Sequence, residues 1–475
     1  ERRVSSMSKL VKVWNNETVT QNGAKAYKST SNANLDMYAN CAALRISNQY
    51  DRALNYFIAA YRENKTLALR NAFHLRDIRE GKGERKMFRD MLQWLYENDL
   101  KAFNAVIEYV PFFGRWDDIL DFTNSVEVRS IVRKQLLEDI TSDHPSLLAK
   151  WMPSENTSNA GTRLLATEWM RILDYSARNY RKMLVTLRKK IGVVEVLMSS
   201  GKWSDITYPS VPSKAMKQYR KAYGKRDNDR FVAYLENVKN GTQKINTMGL
   251  MPYELIKNAN DPVIEAQWNN LPDYVGDKSF IPMPDVSGSM SGTPMEVSVS
   301  LAIYGAERNK SAFKDLVLSF TNTPTFHKLS GTLFQKYREV TRHVGYDTNL
   351  QAAFQAILNL AVENSVPVED MPNYLLVISD MEFNDPNIDG LTNLEATRKM
   401  FAKHGYAMPV IVFWNVDSKQ AQVQALDTSK NCILVSGLSA AVFKGALAGN
   451  PLDQVTPMEA MLEVLDSERY SMIGV

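Results

Sequence analysis

The stretch Phe280-Ile281-Pro282-Met283-Pro284-Asp285-Val286-Ser287-Gly288-Ser289-Met290 decides the fold of the C-terminal part of this chain. Its apolar first half predicts a buried strand, and its second half places the side-chain oxygens of Asp285, Ser287 and Ser289 on one tight turn. Mg²⁺ prefers near-octahedral oxygen coordination and gives up its waters reluctantly, so a turn of this kind suits it. We therefore expect a divalent-cation site at the end of the strand. The alternative is that the carboxylates only cap strand ends.

Two later segments fit the same site. Tyr374-Leu375-Leu376-Val377-Ile378-Ser379-Asp380 predicts a buried strand that delivers Asp380 at its carboxyl end. Gly345-Tyr346-Asp347-Thr348-Asn349 is a polar loop that opens a helix. Since ligand sites in open α/β sheets lie at the carboxyl ends of the strands, we expect both segments to meet Asp285. Either Asp347 or Thr348 could face the metal.

Strand and helix patterns alternate through the C-terminal part, which predicts an α/β domain with a parallel, doubly wound sheet. Pro282 and Pro284 do not fit a central strand, because proline cannot donate to a sheet ladder. Short runs rich in β-branched and aromatic residues predict strands at Phe280–Met283, Leu316–Phe320, Leu375–Ile378, Val410–Trp414 and Ile433–Val435. Helical patterns lie between them, at Met295–Arg308, Leu350–Val362, Leu394–His404 and Ala440–Ala448.

The loop residues resemble the metal-ion-dependent adhesion site of von Willebrand factor A (vWA) domains. That resemblance implies Mg²⁺, with Mn²⁺ or Ca²⁺ as alternatives, and a partner protein that supplies a carboxylate to the metal. Many family members have Gly-Gly-Thr where this chain has Gly345-Tyr346-Asp347 before Thr348. The implied metal ligands are Asp285, Ser287, Ser289, Thr348 and Asp380, with Asp347 as an alternative to Thr348.

The net charge of +4 hides an asymmetry between the two parts of the chain. Residues 1–272 hold 42 Lys and Arg against 30 Asp and Glu, whereas residues 273–475 hold 15 against 23. The chain is therefore a basic module joined to an acidic one. We expect a weakly ordered arm at 1–31, a helical domain at 32–272 and a vWA-like domain at 273–475. A basic module of this kind suggests a polyanionic partner.

Basic residues are densest between Arg178 and Arg230, where only four acids balance them. Aromatic residues are interleaved with them, at Tyr175, Tyr180, Trp203, Tyr208, Tyr219 and Tyr223. Cations neutralise phosphates and aromatic rings stack on bases, so the region predicts a groove for single-stranded nucleic acid. The alternative is a solvated helix face above core aromatics. The predicted contacts are Arg178, Arg181, Lys182, Arg188, Lys189, Lys190, Lys202, Lys214, Lys217, Arg220, Lys221, Lys225, Arg226 and Arg230.

The N-terminal part reads as helical and repetitive. Amphipathic segments at Leu35–Ala60, Thr66–Arg79, Glu84–Glu97 and Val126–Asp139 are separated by Gly, Pro and Asn. One phrase occurs twice, as Gly114-Arg115-Trp116-Asp117-Asp118-Ile119 and as Gly201-Lys202-Trp203-Ser204-Asp205-Ile206. We interpret it as an elbow in which a Gly ends one helix, a Trp is buried and an Asp caps the next helix. The 87-residue offset equals two units of a HEAT- or armadillo-like repeat.

Most of the chain from about Leu35 resembles the TROVE–vWA proteins, typified by the Ro ribonucleoprotein autoantigen, and in particular an uncharacterised relative found in phages, bacteria and plants. The residues that carry this resemblance are the run Arg76-Asp77-Ile78-Arg79-Glu80-Gly81-Lys82-Gly83-Glu84-Arg85 and the segment from Trp203 to Met216. The resemblance implies a ring or horseshoe of helical repeats closed by the vWA domain. It also implies binding of noncoding or misfolded RNA.

Other classes find little support in the sequence. It has no Walker A motif, no His-Glu-x-x-His and no Gly-x-Ser-x-Gly, so we expect a protein that is not an enzyme. Two cysteines far apart, Cys41 and Cys432, indicate a reducing compartment such as the cytoplasm, and no run is apolar enough for a membrane span. The sequence leaves two hypotheses: an RNA-binding scaffold, or a metal-dependent assembly factor that binds a protein partner without RNA.

Overall fold

The structure is a computed structural model that describes residues 16–21, 23, 25–342, 350–383, 392–450 and 454–475. Its N-terminal half is mostly helical and its C-terminal half is an α/β domain. The helices of the first half are α1 Ala33–Asn40, α2 Tyr50–Glu63, α3 Lys65–Arg76, α4 Lys86–Asn98, α5 Leu100–Val106, α6 Val110–Phe113, α7 Val126–Thr141, α8 Leu148–Trp151, α9 Ala160–Leu173, α10 Ala177–Ile191, α11 Val194–Ser199, α12 Ser213–Arg226, α13 Asn228–Lys239, α14 Pro252–Ile256 and α15 Pro262–Asn269.

The predicted helical segments are confirmed except at Leu35–Ala60. That prediction of one segment was wrong, because the chain forms α1, a 3₁₀ turn at Cys41–Leu44 and then α2. Asn48 between them has a φ of 55°, a left-handed conformation that a continuing helix cannot contain. Gln49, the residue before α2, makes no side-chain cap bond, so no capping side chain marks this break. The left-handed backbone at Asn48 therefore accompanies the division of the predicted segment into two helices.

The C-terminal half is built around a four-stranded parallel sheet. Its strands lie in the order β3 (Phe280–Pro284), β6 (Tyr374–Ser379), β7 (Val410–Asn415) and β8 (Cys432–Ser436). Buried side chains alternate between the two faces: one core contains Phe280, Leu376 and Val412, whereas the opposite core contains Ile281 and Val377. The elements are β3 Phe280–Pro284, α16 Thr293–Arg308, β4 Leu316–Leu318, β5 Phe326–Lys328, α17 Leu333–Thr341, α18 Leu350–Glu363, β6 Tyr374–Ser379, α19 Thr392–Lys403, β7 Val410–Asn415, β8 Cys432–Ser436, α20 Phe443–Ala446 and α21 Pro457–Leu465.

Helices cover both faces of this sheet, as the alternating pattern predicts. Side chains of α16 pack into the core that contains Phe280, and side chains of α18 pack into the core that contains Ile281. Burial on both faces is typical of parallel sheets and explains why β6 is apolar from Leu375 to Ile378. The parallel sheet in the C-terminal part is confirmed.

The edge position of β3 explains its two prolines. Within the described residues, β3 has β6 as its sheet partner. Asp285 N donates to Ile378 O, so by alternation Pro282 and Pro284 face away from β6, where a missing N–H breaks no ladder bond. The segment predicted as the strand Leu316–Phe320 differs from expectation in its pairing. It forms the shorter β4, which pairs antiparallel with β5 in a separate two-stranded sheet.

Part of the segment that we expect to be a weakly ordered arm, residues 1–31, forms a hairpin. Its strands are β1 Glu17–Val19 and β2 Lys25–Tyr27, paired antiparallel. Thr20 Oγ1 donates to Phe383 O at 2.7 Å, and Tyr27 exchanges two backbone hydrogen bonds with Val423. The hairpin therefore lies against the α/β domain, next to the residues that follow β6.

The repeated phrase has the same local structure in both copies. Trp116–Asp118 and Trp203–Asp205 are single 3₁₀ turns, and each is followed by a buried isoleucine. The expected cap was wrong in both copies: Ser125 caps α7, no side chain caps α12, and Asp118 binds arginine side chains. The expected buried Trp was also wrong, because Trp116 and Trp203 are only partly buried. The glycines differ too, because a Cβ at Gly114 would lie 2.5 Å from Asp118 Oδ2, whereas nothing lies within 4 Å of one at Gly201. The two copies share a turn but not its contacts.

The run from Arg76 to Arg85 forms part of the contact between the two halves. Asp77 accepts from Arg469 Nη2 at 2.9 Å and from Tyr470 Oη at 3.0 Å. Lys82 is fully buried and donates to Tyr38 O and to Ser436 Oγ of β8. Glu80 pairs with Lys444 at 2.6 Å. Buried Asp77 and Lys82 and the more exposed Glu80 therefore tie the helical half to the sheet and to the C-terminal residues of the α/β half.

A second buried polar group lies directly behind this contact. Asp118 is fully buried and accepts from Arg76 Nη2 at 2.7 Å, from Arg89 Nε at 2.8 Å and from Arg115 N at 2.9 Å. Both carboxylate oxygens are thus occupied by charged or backbone donors, the condition under which a buried ion pair is tolerated. We call the set Arg76, Asp77, Lys82, Arg89 and Asp118 the polar lock.

Candidate metal centre and basic stripes

The first predicted metal loop, the turn at residues 285–290, is held in place by Asp285 itself. Asp285 is 2% exposed, its Oδ1 accepts from Ser287 N at 2.9 Å, and its Oδ2 accepts from Ser379 Oγ at 2.6 Å. The first contact closes the turn after β3, and the second links that turn to β6. Ser287 Oγ and Ser289 Oγ lie 3.1 Å apart on the exposed side of the turn. A carboxylate and two hydroxyls therefore share one corner of the sheet edge.

Asp380 reaches the same corner from β6. The register pairs Pro284 with Ile378, so Asp285 and Asp380 leave neighbouring strands at the same edge of the sheet. Asp380 Oδ1 accepts from Glu382 N at 3.2 Å, which turns the chain away from the strand. Its Oδ2 accepts from Lys419 Nζ at 2.7 Å, and the same Nζ donates to Ser289 O at 2.8 Å. One ammonium group thus bridges two of the predicted metal loops.

Acidic side chains are crowded at this carboxyl end of the sheet. We call Asp285, Asp380, Glu382 and Asp417 the acidic edge. Burial raises the pKa of Asp285 to about 6, and the nearby charge of Asp380 adds to the effect. Burial also raises the pKa of Asp417 to about 6, although Lys419 opposes the shift. Burial likewise raises the pKa of Glu382, with Asp380 contributing. Buried carboxylates that resist ionisation lack sufficient positive charge around them.

The residues at this edge fit a divalent cation on chemical grounds. The Lys419 ammonium stands in for a cation between Asp380 and Ser289, which shows that the corner accepts positive charge. Asp417 Oδ1 is buried and has no hydrogen-bond partner among the residues that the structure describes. The described residues contain no cluster of three His, Cys, Asp or Glu side chains suited to a metal, so the candidate centre depends on serine hydroxyls as well. Asp347 and Thr348, the predicted second loop, lie outside the described residues.

The predicted nucleic-acid contacts divide into two groups. One group serves the fold: Arg188 donates to Ala149 O, Met152 O and Ser154 Oγ, all within 2.9 Å, and Arg220 Nε lies 2.6 Å from Asp261. Lys217 donates to Glu254 O. These three side chains are only partly exposed. The others with protein partners are Arg181, Lys190, Lys214 and Arg230, which contact Glu155, Ser142 O, Glu254 and Asp227.

The second group is exposed and has no hydrogen bond or ion pair with the residues that the structure describes. Within it, Arg178, Lys182 and Lys189 recur along α10 at the spacing of one helix face. Lys221 and Lys225 share a face of α12. We call these two sets the basic stripes. The full group is Arg178, Lys182, Lys189, Lys202, Lys221, Lys225 and Arg226.

Three of the six interleaved aromatic residues belong to the core, so the expected stacking role was wrong for these three. Tyr180, Tyr208 and Tyr223 are at most 3% exposed. The Tyr180 hydroxyl donates to Pro153 O, and the Tyr208 ring packs on Tyr223 with centroids 5.3 Å apart. Tyr175, Trp203 and Tyr219 are half-buried. Helical spacing of large rings here marks the buried face of α10 and α12, and the cations lie on the opposite face.

Sequence reasoning missed the residues that complete the acidic edge. Ser379 was read only as the end of a strand, although its hydroxyl holds Asp285. Lys419 and Asp417 lie in the loop after β7, and the sequence there has no motif that points to a site. The one available signal was their position, because a loop at the carboxyl end of a parallel strand faces the ligand edge.

Comparisons with known proteins give two matches to domain families of unknown function. One, DUF2828, matches residues 20–109 and 171–279, and the other, DUF7788, matches residues 279–470. A protein of Acanthamoeba polyphaga mimivirus, called uncharacterized protein L728, is 27% identical over 507 residues, which covers 95% of this chain and 87% of the viral protein.

Among solved structures, the chain is similar to the crystal structure of the Deinococcus radiodurans Ro (RSR) protein. The identity is 14%, and the match covers 84% of this chain and 92% of that chain with a TM-score of 0.32. In the part of the chain that the structure describes, no helix is both long and apolar enough to span a membrane.

Proposed function

We propose that this chain is a non-enzymatic RNA-binding scaffold of the Ro-like TROVE–vWA type. In this proposal, the helical half forms HEAT-like repeats that bind noncoding or misfolded RNA. The α/β half is a vWA-like domain that binds a divalent cation and the acidic group of a partner. The observation that carries the proposal is the pair of basic stripes, whose cations face solvent and have no hydrogen bond or ion pair within the described part of the chain.

The stripes support contact with phosphates rather than with bases. Five cations, Arg178, Lys182, Lys189, Lys221 and Lys225, are exposed, while the large rings between them are mostly buried. Unpaired Lys and Arg on a helix face gain by neutralising phosphates and releasing counterions, which requires no specific sequence. The proposed contact therefore depends on charge and backbone shape, and it suits structured as well as single-stranded RNA.

The RNA test uses a triple substitution of the first stripe, Arg178→Gln, Lys182→Gln and Lys189→Gln. Each phosphate contact on a single strand contributes about −0.7 to the slope of log affinity against log salt. Loss of three contacts should flatten that slope by about 2 and weaken binding of any RNA at low salt. The measurement is fluorescence anisotropy with a labelled single strand and a labelled hairpin, at several salt concentrations.

A matched control removes the same charge elsewhere in the helical half, by Arg62→Gln, Lys101→Gln and Lys134→Gln. These residues are exposed on α2, α5 and α7 and also have no partner among the described residues. The control should bind RNA like the wild type. If both triple variants lose affinity equally, net charge rather than the stripe binds the RNA. If the wild type binds no RNA at low salt, the assembly-factor hypothesis takes the place of this proposal.

The metal part of the proposal assigns named residues. Asp285, Ser287, Ser289 and Asp380 would hold the ion, with Thr348 or Asp347 from the second loop. A bound divalent ion supplies a position at which a carboxylate or phosphate oxygen of a partner is held. Asp285→Asn keeps the size of the side chain and removes its charge, so it should abolish Mn²⁺ binding in calorimetry with little loss of fold. Equal Mn²⁺ binding by the wild type and Asp285→Asn would contradict the assignment.

The crowding of carboxylates at this edge also favours the second hypothesis, a metal-dependent assembly factor. The acidic edge differs from an ordinary solvated surface in that Asp285, Asp380 and Asp417 are all at most 5% exposed. The two hypotheses differ in one outcome. The scaffold binds RNA whether or not Asp285 is substituted, whereas the assembly factor binds a protein partner only with the ion and binds no RNA.

A further inference from the structure

Lys419 lies at the centre of the acidic edge. Its Nζ is 2.7 Å from Asp380 Oδ2 and 2.8 Å from Ser289 O, two atoms that belong to different metal loops. Asp380 is almost fully buried, whereas the Lys419 side chain is 33% exposed. The carboxylate is therefore fixed, and the ammonium reaches it from the solvent side on a flexible stem.

The backbone that carries Lys419 is anchored in the helical half. Ser418 N donates to Ala43 O at 3.1 Å. Arg52 donates to Ser418 O at 3.3 Å and to Ser418 Oγ at 3.2 Å, and it also binds Gln420 O. The residues on both sides of Lys419 are thus held by α2 and the turn before it. The side chain can leave Asp380 while its backbone stays in place.

We propose that the Lys419 ammonium is a tethered cation that competes with the divalent ion for Asp380. This inference rests on the proposed metal site. In the metal-free protein, Lys419 holds the two loops together and partly neutralises the carboxylates. When a divalent ion occupies the loops, the ammonium moves to solvent, because two cations held on one carboxylate repel each other strongly in a partly buried site.

As a consequence, the free protein binds the divalent ion less tightly than it would without Lys419. The ion must displace an internal cation, so its net gain is reduced by the Lys419–Asp380 contact. A partner that brings a carboxylate or phosphate adds negative charge at the same corner and offsets the repulsion. Stable metal binding is therefore coupled to the arrival of the acidic partner, and Lys419 sets the strength of that coupling.

The experiment measures Mn²⁺ affinity of the full-length chain by calorimetry, for the wild type, Lys419→Met, Lys419→Arg and Asp285→Asn. Lys419→Met should bind Mn²⁺ about tenfold more tightly than the wild type, which corresponds to about 1.4 kcal/mol. Lys419→Arg keeps the internal cation and should stay close to the wild type. Lys430→Met is the matched control. It removes an exposed lysine that lies just before β8, at the opposite edge of the sheet, and should leave the affinity unchanged.

A second readout covers the case in which Lys419→Met folds poorly. Without metal, Lys419→Met should unfold at a lower temperature than the wild type, because uncompensated carboxylates remain at the edge. Saturating Mn²⁺ should then raise its unfolding temperature by more than it raises that of the wild type. This comparison needs only enough folded protein to record a transition.

The outcomes separate this inference from the proposed function. Tighter binding by Lys419→Met, with none by Asp285→Asn, supports both the site and the tethered cation. Equal binding by the wild type and Lys419→Met overturns the tethered cation and leaves the metal site standing. Absence of Mn²⁺ binding in the wild type, Lys419→Met and Lys419→Arg alike overturns the metal site and this inference with it.

Discussion

The polar lock and the basic stripes contain the same residue types in opposite surroundings. Arg76 of the lock is 2% exposed and binds Asp118, whereas Arg178 of the stripes faces solvent with no partner among the described residues. Both regions lie in the helical half, and both contain Arg and Lys side chains. The difference teaches that charge density locates a candidate surface, but the presence of an acidic or carbonyl partner decides whether a cation holds the fold or awaits a ligand.

The largest effect should follow from breaking the lock. Asp118→Ala leaves Arg76 and Arg89 without their shared carboxylate in a buried site. Removal of one partner of a buried ion pair costs about 3–5 kcal/mol, and we expect that loss in the free energy of unfolding measured with urea. The control is Asp121→Ala, an exposed acid a few residues away, which should change stability by less than about 0.5 kcal/mol. Similar losses for the two variants would mean that the lock carries no special share of the stability.

A somewhat smaller effect should appear with pH at His74, which lies beside the lock. Its ring stacks on Tyr38, its Nδ1 lies 3.0 Å from Tyr470 Oη, and burial lowers the pKa of His74 to about 3. Between pH 6.5 and 3, His74 is protonated in the unfolded chain but stays neutral in the folded chain. The free energy of unfolding therefore decreases as the pH falls through this window. From pH 6.5 to 5 the loss should be about 2 kcal/mol, at about 1.36 kcal/mol per unit.

The measurement for His74 is urea unfolding at pH 7 and pH 5. His74→Phe should lose this part of the pH dependence, whereas His144→Gln, at an exposed position of the same half, should keep it. An unchanged pH dependence in His74→Phe would show that His74 does not couple the lock to protons.

The sharpest contrast within the basic region pairs Arg188 with Arg178, both on α10. Arg188→Gln loses three hydrogen bonds to residues 149–154 and should lower stability by about 1.5 kcal/mol without specific loss of RNA affinity. Arg178→Gln should leave stability within about 0.5 kcal/mol and weaken RNA binding. Unfolding curves and anisotropy titrations on the same preparations check both. The reverse pattern would refute the division of the basic residues into two groups.

Much of the fold follows from sequence pattern alone. The apolar runs at residues 280–283, 375–378, 410–414 and 433–435 all became strands of one parallel sheet, because strands buried on both faces need continuous apolar sequence. The partner of β4 was missed, since Phe326-His327-Lys328 has no apolar run and pairs through its backbone. The break between α1 and α2 was missed as well. It depends on the backbone conformation near Asn48, which the apolar periodicity does not report.

The metal site and the basic region differ in how much of each could be predicted from the sequence. Asp285, Ser287 and Ser289 lie within five residues, so their turn fixes their geometry, and a strand end fixes Asp380. Lys419 joins them from a loop with no motif, which only the packing of α2 against that loop determines. In the basic region the sequence gives the position of every Lys and Arg, but it does not predict the direction in which each side chain points. Whether Arg188 or Arg178 meets a carbonyl depends on contacts with residues distant along the chain.

The most direct test of the central claim is a lysine-acetylation footprint of the full-length chain, read by mass spectrometry with and without a short structured RNA at constant ionic strength. The account predicts protection of Lys182, Lys189, Lys221 and Lys225 by the RNA. Lys101 in the helical half and Lys403 in the α/β half, which are equally exposed, should be modified at the same rate in both samples. Protection of the two control lysines with none at the stripes, or no protection at all under conditions in which RNA is bound, would contradict it.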